Sequence, residues 1–167
     1  MLRGVKHVVR LLLLWLLLTV GTAQAAAVGG AQAAAQAGHT ASLHVTFGLR
    51  DLLVSRDAPN TVHLSTPWGQ ASAEVSGAAH PDATFSGYYR SVRPLHLRVR
   101  VPAGTRPGQY PATLHARLFT CDQKRGLCIR RDANVAVSIQ VVAAGVTAEV
   151  RPTHLTDATL APLGRFR

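Results

Sequence analysis

Residues 95–101 read Leu95-His96-Leu97-Arg98-Val99-Arg100-Val101, apolar at every odd position and basic at every even one. A period of two is that of a β-strand with one face against a core and the other in solvent. Pro102, Gly104, Pro107 and Gly108 then mark a turn, after which Tyr110, Ala112, Leu114, Ala116 and Leu118 share one parity. Val135, Val137, Ile139 and Val141 do the same further on. Working outward, the strand candidates are residues 43–49, 61–65, 71–75, 94–101, 109–120 and 134–142, separated by Pro and Gly. No segment after residue 42 keeps a 3.6-residue apolar period for three turns, so helices are not expected. Six or seven short strands in about 100 residues predict an all-β domain over residues 43–142, a two-sheet sandwich, with a barrel as the alternative.

The flanks read differently. Residues 1–25 have the makings of a signal peptide, helical in its apolar part: basic Arg3, Lys6 and Arg10, the apolar run Leu11–Val20, then Ala23-Gln24-Ala25. That run is ten residues long, whereas a bilayer-spanning helix needs about 20, so cleavage is favoured over a retained anchor. The expected location is therefore outside the cytosol, in the periplasm or cell envelope, with no stable membrane span after cleavage. Residues 26–42 are mostly Ala, Gln and Gly and read as a flexible leader. Residues 143–167 read as a loosely ordered tail with one possible extra strand at 146–150.

The chain carries 18 basic and 8 acidic residues; without residues 1–25 there are 15 basic residues and a net charge of +7. Such a protein can meet anionic partners, but its Arg residues are spread over alternating strands, and no nucleic-acid motif accompanies them. A nucleic-acid partner is not expected. No serine triad order, phosphate loop or carboxylate pair stands out, and no cofactor is expected. His44, His63, His96 and His115 recur on strand patterns, but no C-x-x-C or H-x-x-x-H spacing groups them as metal ligands, and no metal is expected. Trp68, in Pro67-Trp68-Gly69, reads as a turn anchored by an aromatic.

Chemistry concentrates in Leu118-Phe119-Thr120-Cys121-Asp122-Gln123-Lys124-Arg125-Gly126-Leu127-Cys128-Ile129, between two strand patterns. Two close cysteines in an exported chain are expected to pair, and a hairpin end brings facing positions within bonding range. Closing this short loop would stabilise the fold by roughly 2 to 3 kcal/mol on the chain-entropy model. Spacing leaves two roles open, a structural staple and a redox pair. Position at a hairpin end favours access, and Lys124, Arg125, Arg130 and Arg131 set against Asp122 and Asp132 favour a thiolate.

The run from Phe85 to Val142 resembles the N-terminal periplasmic domain of the thiol:disulfide interchange reductase DsbD. The resemblance rests on a Tyr-bearing strand, a Pro/Gly turn, a strand running into Cys121, a polar loop ending Gly126-Leu127-Cys128, and a final apolar strand. It implies an immunoglobulin-like antiparallel sandwich that passes electrons to envelope disulfide partners, acting as a protein-disulfide reductase. Cys128 would be the attacking thiol and Cys121 the resolving one, with Phe85, before Gly87, as the aromatic cap over the disulfide. The chain departs from that family in having six residues between the cysteines where five are usual, and Ile129-Arg130-Arg131 where Pro is usual soon after the second. Asp82 alone matches the family's acidic cap residues. The membrane and thioredoxin-like domains of that family are missing, so the resemblance implies a monomeric module served by a separate membrane electron donor. The competing reading is a non-enzymatic envelope binding module, using exposed strand edges and cationic faces, in which the disulfide is purely structural.

Overall fold

A computed structural model describes residues 31–162; the expected signal segment lies outside the described residues. Twelve strands follow one another: β1 (Ala33–Gln36), β2 (Thr40–Gly48), β3 (Leu52–Ser55), β4 (Thr61–Thr66), β5 (Gly69–Glu74), β6 (Gly77–Ala79), β7 (Tyr88–Val92), β8 (Leu95–Arg100), β9 (Gly108–Asp122), β10 (Leu127–Val142), β11 (Thr153–Thr156) and β12 (Ala161–Pro162). A single 3-10 turn, Ala83–Phe85, precedes β7.

The strands form two sheets packed face to face, the all-β sandwich that the alternation predicts, in keeping with an immunoglobulin-like fold. The larger sheet runs β1-β10-β9-β3-β7-β6, with the β4–β5 hairpin on the same edge of β9 as β3 and β12 on β10. The smaller runs β11-β2-β8. Between them lie Leu43, Val45, Leu97 and Val99 of the small sheet and Leu64, Leu114, Leu118 and Ile139 of the large one, all buried. These are the residues that share a parity in the sequence, and their partners at even positions of β8, Arg98 and Arg100, are exposed.

Three expectations change. The sheets are mixed and not purely antiparallel: β1 pairs parallel with β10, and β11 parallel with β2. Residues 33–42 are not a flexible leader, because β1 seats Ala33 fully buried against Ile139 and β2 begins at Thr40. Small alanines fit that crowded seam, and a run of Ala and Gln has no apolar contrast from which to read it. Nor is the extra strand at 146–150. Val146 and Val150 are exposed, and the chain pairs again at 153–156, where Leu155 enters the core.

Candidate functional site

The two longest strands, β9 and β10, pair along their whole length, and Cys121 stands directly opposite Cys128, bonded to it with Cα atoms 3.9 Å apart. The cysteines thus face each other as their spacing predicts. The ladder runs one pair further, Asp122 to Leu127, so the loop itself is only residues 123–126. Asp122 shapes it: its side chain accepts from the backbone N–H of Lys124 (3.0 Å) and Arg125 (3.1 Å), and its carbonyl from Gly126 (2.8 Å). Gly126 supplies the left-handed conformation (φ +64°) that the turn requires.

Parity sets the environment of the two sulfurs. Leu118 and Thr120 point into the core, so Cys121 belongs to the outer face of the large sheet, and yet it is only 8% exposed. Two residues surround it. Leu53 of β3 is its cross-strand neighbour and is itself buried. Tyr88 of β7 reaches over β3 from beside Ser55, bringing its hydroxyl to 2.7 Å from Cys121 Sγ and 3.6 Å from Cys128 Sγ. Neither sulfur of a disulfide carries a proton, so the tyrosine O–H is the donor. Cys128, on the strand that β3 does not touch, is exposed. One sulfur is therefore covered and the other open to a partner.

The segment that delivers Tyr88 is braced. Asp82 caps the 3-10 turn by accepting from the Thr84 N–H at 2.8 Å, a bond that holds its carboxyl below the usual carboxylate range. The Gly87 carbonyl accepts from Arg56 N (2.8 Å) and the Ser86 carbonyl from Arg56 Nη1 (3.1 Å), tying the turn to the end of β3. Phe85, expected over the disulfide, sits in this turn with its ring edge-on to His80, centroids 5.0 Å apart. The side chain that the structure sets on the sulfurs is Tyr88. Along β7 Tyr88 and Tyr89 alternate out and in: Tyr89 packs against the core.

The charge around the hairpin end is largely matched. Lys124 Nζ meets Asp51 at 2.9 Å, Arg125 meets Asp122 at 3.9 Å, and Arg117 and Arg130 share Asp132 at 3.3 and 3.5 Å. Asp51 holds the Lys124 ammonium above the usual lysine range. Arg131, expected to crowd the cysteines, is buried on the core face, where Nε donates to Thr120 Oγ1 (3.1 Å) and Nη1 to the Leu160 carbonyl (3.4 Å). An odd position on β10 points away from the sulfurs, so this cation adds little to their reactivity. The cover of Tyr88 and the openness of Cys128 are the features left to distinguish the pair.

The histidines are scattered over other surfaces. His44 and His96 stack across β2 and β8 with centroids 4.6 Å apart, His115 bonds Asn134, and His154 bonds Thr46. Among the described residues no three His, Cys, Asp or Glu side chains converge as a metal site. No protein-family model matches the chain, and no curated protein sequence matches it.

Proposed function

We propose that the protein is an exported thiol:disulfide exchange module whose working pair is Cys121 and Cys128. The observation that carries this reading is the inequality of the two sulfurs: Cys128 is exposed at the end of the sheet, while Cys121 is buried beneath the Tyr88 hydroxyl. Exchange needs one thiolate that a partner disulfide can reach and a second that waits. In the reduced protein the Cys128 thiolate attacks an acceptor disulfide, joining one acceptor sulfur and releasing the other as a thiolate that takes up a proton. Cys121, deprotonated, then attacks Cys128 Sγ, re-forms the internal disulfide and expels the second acceptor thiolate. Two electrons pass to the acceptor, and a donor dithiol in the envelope must return two to the pair. The likeness to the DsbD N-terminal domain supports the same assignment of roles, with Tyr88 in the covering position.

Trapping tests it. Cys121→Ser leaves Cys128 without its resolving partner, so mixed disulfides with a model disulfide substrate should accumulate, whereas Cys128→Ser should form few. Titration in glutathione buffers should give a potential in the range of exchange proteins, above about −300 mV. A far lower potential with no trapped adduct would leave a structural bond only. The staple reading has one observation of its own: the cysteines occupy a directly opposed pair next to the tight turn, where a bond closes the hairpin. On that reading the protein is an envelope binding module, and reduction would lower its melting temperature while partner binding survived.

A further inference from the structure

The small sheet has an edge that no described strand covers. β8 pairs with β2 along residues 40–45, but β11 takes the other side of β2 only from Val45 onward. Val101 N donates to the His39 carbonyl at 2.9 Å, which makes 39 and 101 a hydrogen-bonded pair. Bonding alternates along an antiparallel ladder, so the N–H and C=O groups of Thr40 and Ser42 turn away from β8, toward the open side. On that side is a shallow groove of about 440 Å3, bordered by Thr40 and Ser42, by Ala34 and Ala35 of β1, and by Val146 and Val150. The stretch 146–150 runs beside the groove without pairing to β2, leaving its two valines 51% and 46% exposed.

We propose that this edge is a docking site for an extended acidic segment of a partner protein, which adds to β2 as a further strand along Thr40–His44. The backbone supplies the unpaired donors and acceptors that strand addition uses. Charge gives the partner its chemistry. Directly across β2 from the open side, Arg100 stands opposite Thr40 and Arg98 opposite Ser42, both exposed and neither engaged in an ion pair or side-chain hydrogen bond. His39 borders the groove, and the stacked His44 and His96 continue the row. No Asp or Glu occurs in β2, β8 or β11, whereas the cations at the disulfide end are matched by Asp51, Asp122 and Asp132. Glu74 on β5, which packs beside β8, and Glu149 form no ion pair with this row. An added strand would lie about 4.8 Å from β2 and about 10 Å from β8, within reach of both arginines. Alternate side chains of the partner then meet the cationic row, and those between them enter the Ala/Val-lined groove.

The test uses the purified protein and a short peptide alternating Glu with Val, followed by amide-resolved NMR. Shift changes should be confined to residues 34–44, 96–100 and 146–150, and the Thr40 and Ser42 amides should exchange more slowly once the peptide is bound. A Lys/Val peptide of the same length should not bind. The Glu/Val peptide with alternate backbone nitrogens methylated should lose binding, a control that leaves the protein unaltered. Arg98→Ala with Arg100→Ala should weaken the Glu/Val peptide about three- to tenfold, the weight of two exposed charge contacts. Equal binding of the Lys/Val or the methylated peptide overturns the proposal, as do shift changes on another surface. So does protection of the Thr40 and Ser42 amides in the protein alone: if independent of concentration, the chain covers its own edge; if it rises with concentration, a second copy does. None of these outcomes bears on the cysteine chemistry.

Discussion

At Cys121 the sulfur receives a hydrogen bond from Tyr88 and lies beside Leu53, while seven residues on Cys128 is exposed, its sulfur farther from the same hydroxyl. The tyrosine has a consequence for chemistry as well as for access. On the proposed exchange mechanism, when the pair opens the O–H that donates to the disulfide sulfur is placed to donate to a Cys121 thiolate, favouring the ionised form that would attack Cys128. Tyr88→Phe removes that donor and keeps the ring. Resolution of a trapped mixed disulfide should then slow by about tenfold, the weight of one hydrogen bond to a charged group, while the first attack by Cys128 keeps its rate. A time course with the wild type and the variant measures both steps, and an unchanged resolution rate would leave the hydroxyl a mere cover. The cysteines themselves were legible in the sequence because pairing at a hairpin end depends only on local spacing. Tyr88 was not, because its place over Cys121 depends on β3 lying between β7 and β9, a neighbour relation that no local pattern expresses. Phe85 drew the expectation by its position before Gly87, and the 3-10 turn spends its ring on His80.

Among the elements, β9 serves two partners along the edge that faces away from β10. It pairs with β4 through residues 113–117 and with β3 through residues 120–122, leaving a gap at the changeover. Asn60, buried in the β3–β4 connection, fills it: Oδ1 accepts from Phe119 N at 2.7 Å, and Nδ2 donates to the carbonyls of Ser55 and Ala58. Its own carbonyl accepts from Val75 N. One side chain thus satisfies backbone groups of two strands close to the disulfide. Asn60→Ala would strand the Phe119 N–H and two carbonyls, and should cost about 2 to 4 kcal/mol in denaturant unfolding, with the end of β9 exchanging its amides faster. A loss below 1 kcal/mol would mean that water replaces the side chain at little cost. The long strands β8, β9 and β10 were readable because each presents several residues of strict alternation to a single core. β3, with Leu52, Leu53 and Val54 all buried, has no alternation to read: the outer layer of Tyr88 over Leu53 removes the polar face. β6 and β7 are short strands at the outer end of the large sheet, and neither has a fully buried residue, so their pairing is set by neighbours and not by composition.

Over the whole molecule, both ends of the described chain are structural. Leu155 and Leu160 are buried, Arg151 N donates to the Ala31 carbonyl, and Arg131 holds the Leu160 carbonyl from within the core. Ending the chain after Val142 would remove two large core side chains and the strand that completes the small sheet. At about 2 kcal/mol or more for each leucine, the loss is comparable with the whole stability of a small domain, and the truncated protein should be unfolded or aggregate at 25 °C. Circular dichroism of the shortened protein checks this, and a cooperative melt within a few degrees of the wild type would show the end to be dispensable. Sequence reading trimmed the domain at residues 43 and 142 because the alanines of β1 and the polar surroundings of Leu155 and Leu160 carry no periodic signal. Their contribution arises only when distant segments meet.

The parallel seat of β11 beside β2 also has a meaning in time. Thr46 and His154 touch although 108 positions separate them along the chain. A polypeptide that emerges one end first, from a ribosome or through any narrow pore, cannot close its small sheet until the last strands have come free. Until then β2 and β8 cover the larger sheet without Leu155 beside them, and the interval is one in which chaperones compete with folding for the apolar surface left open.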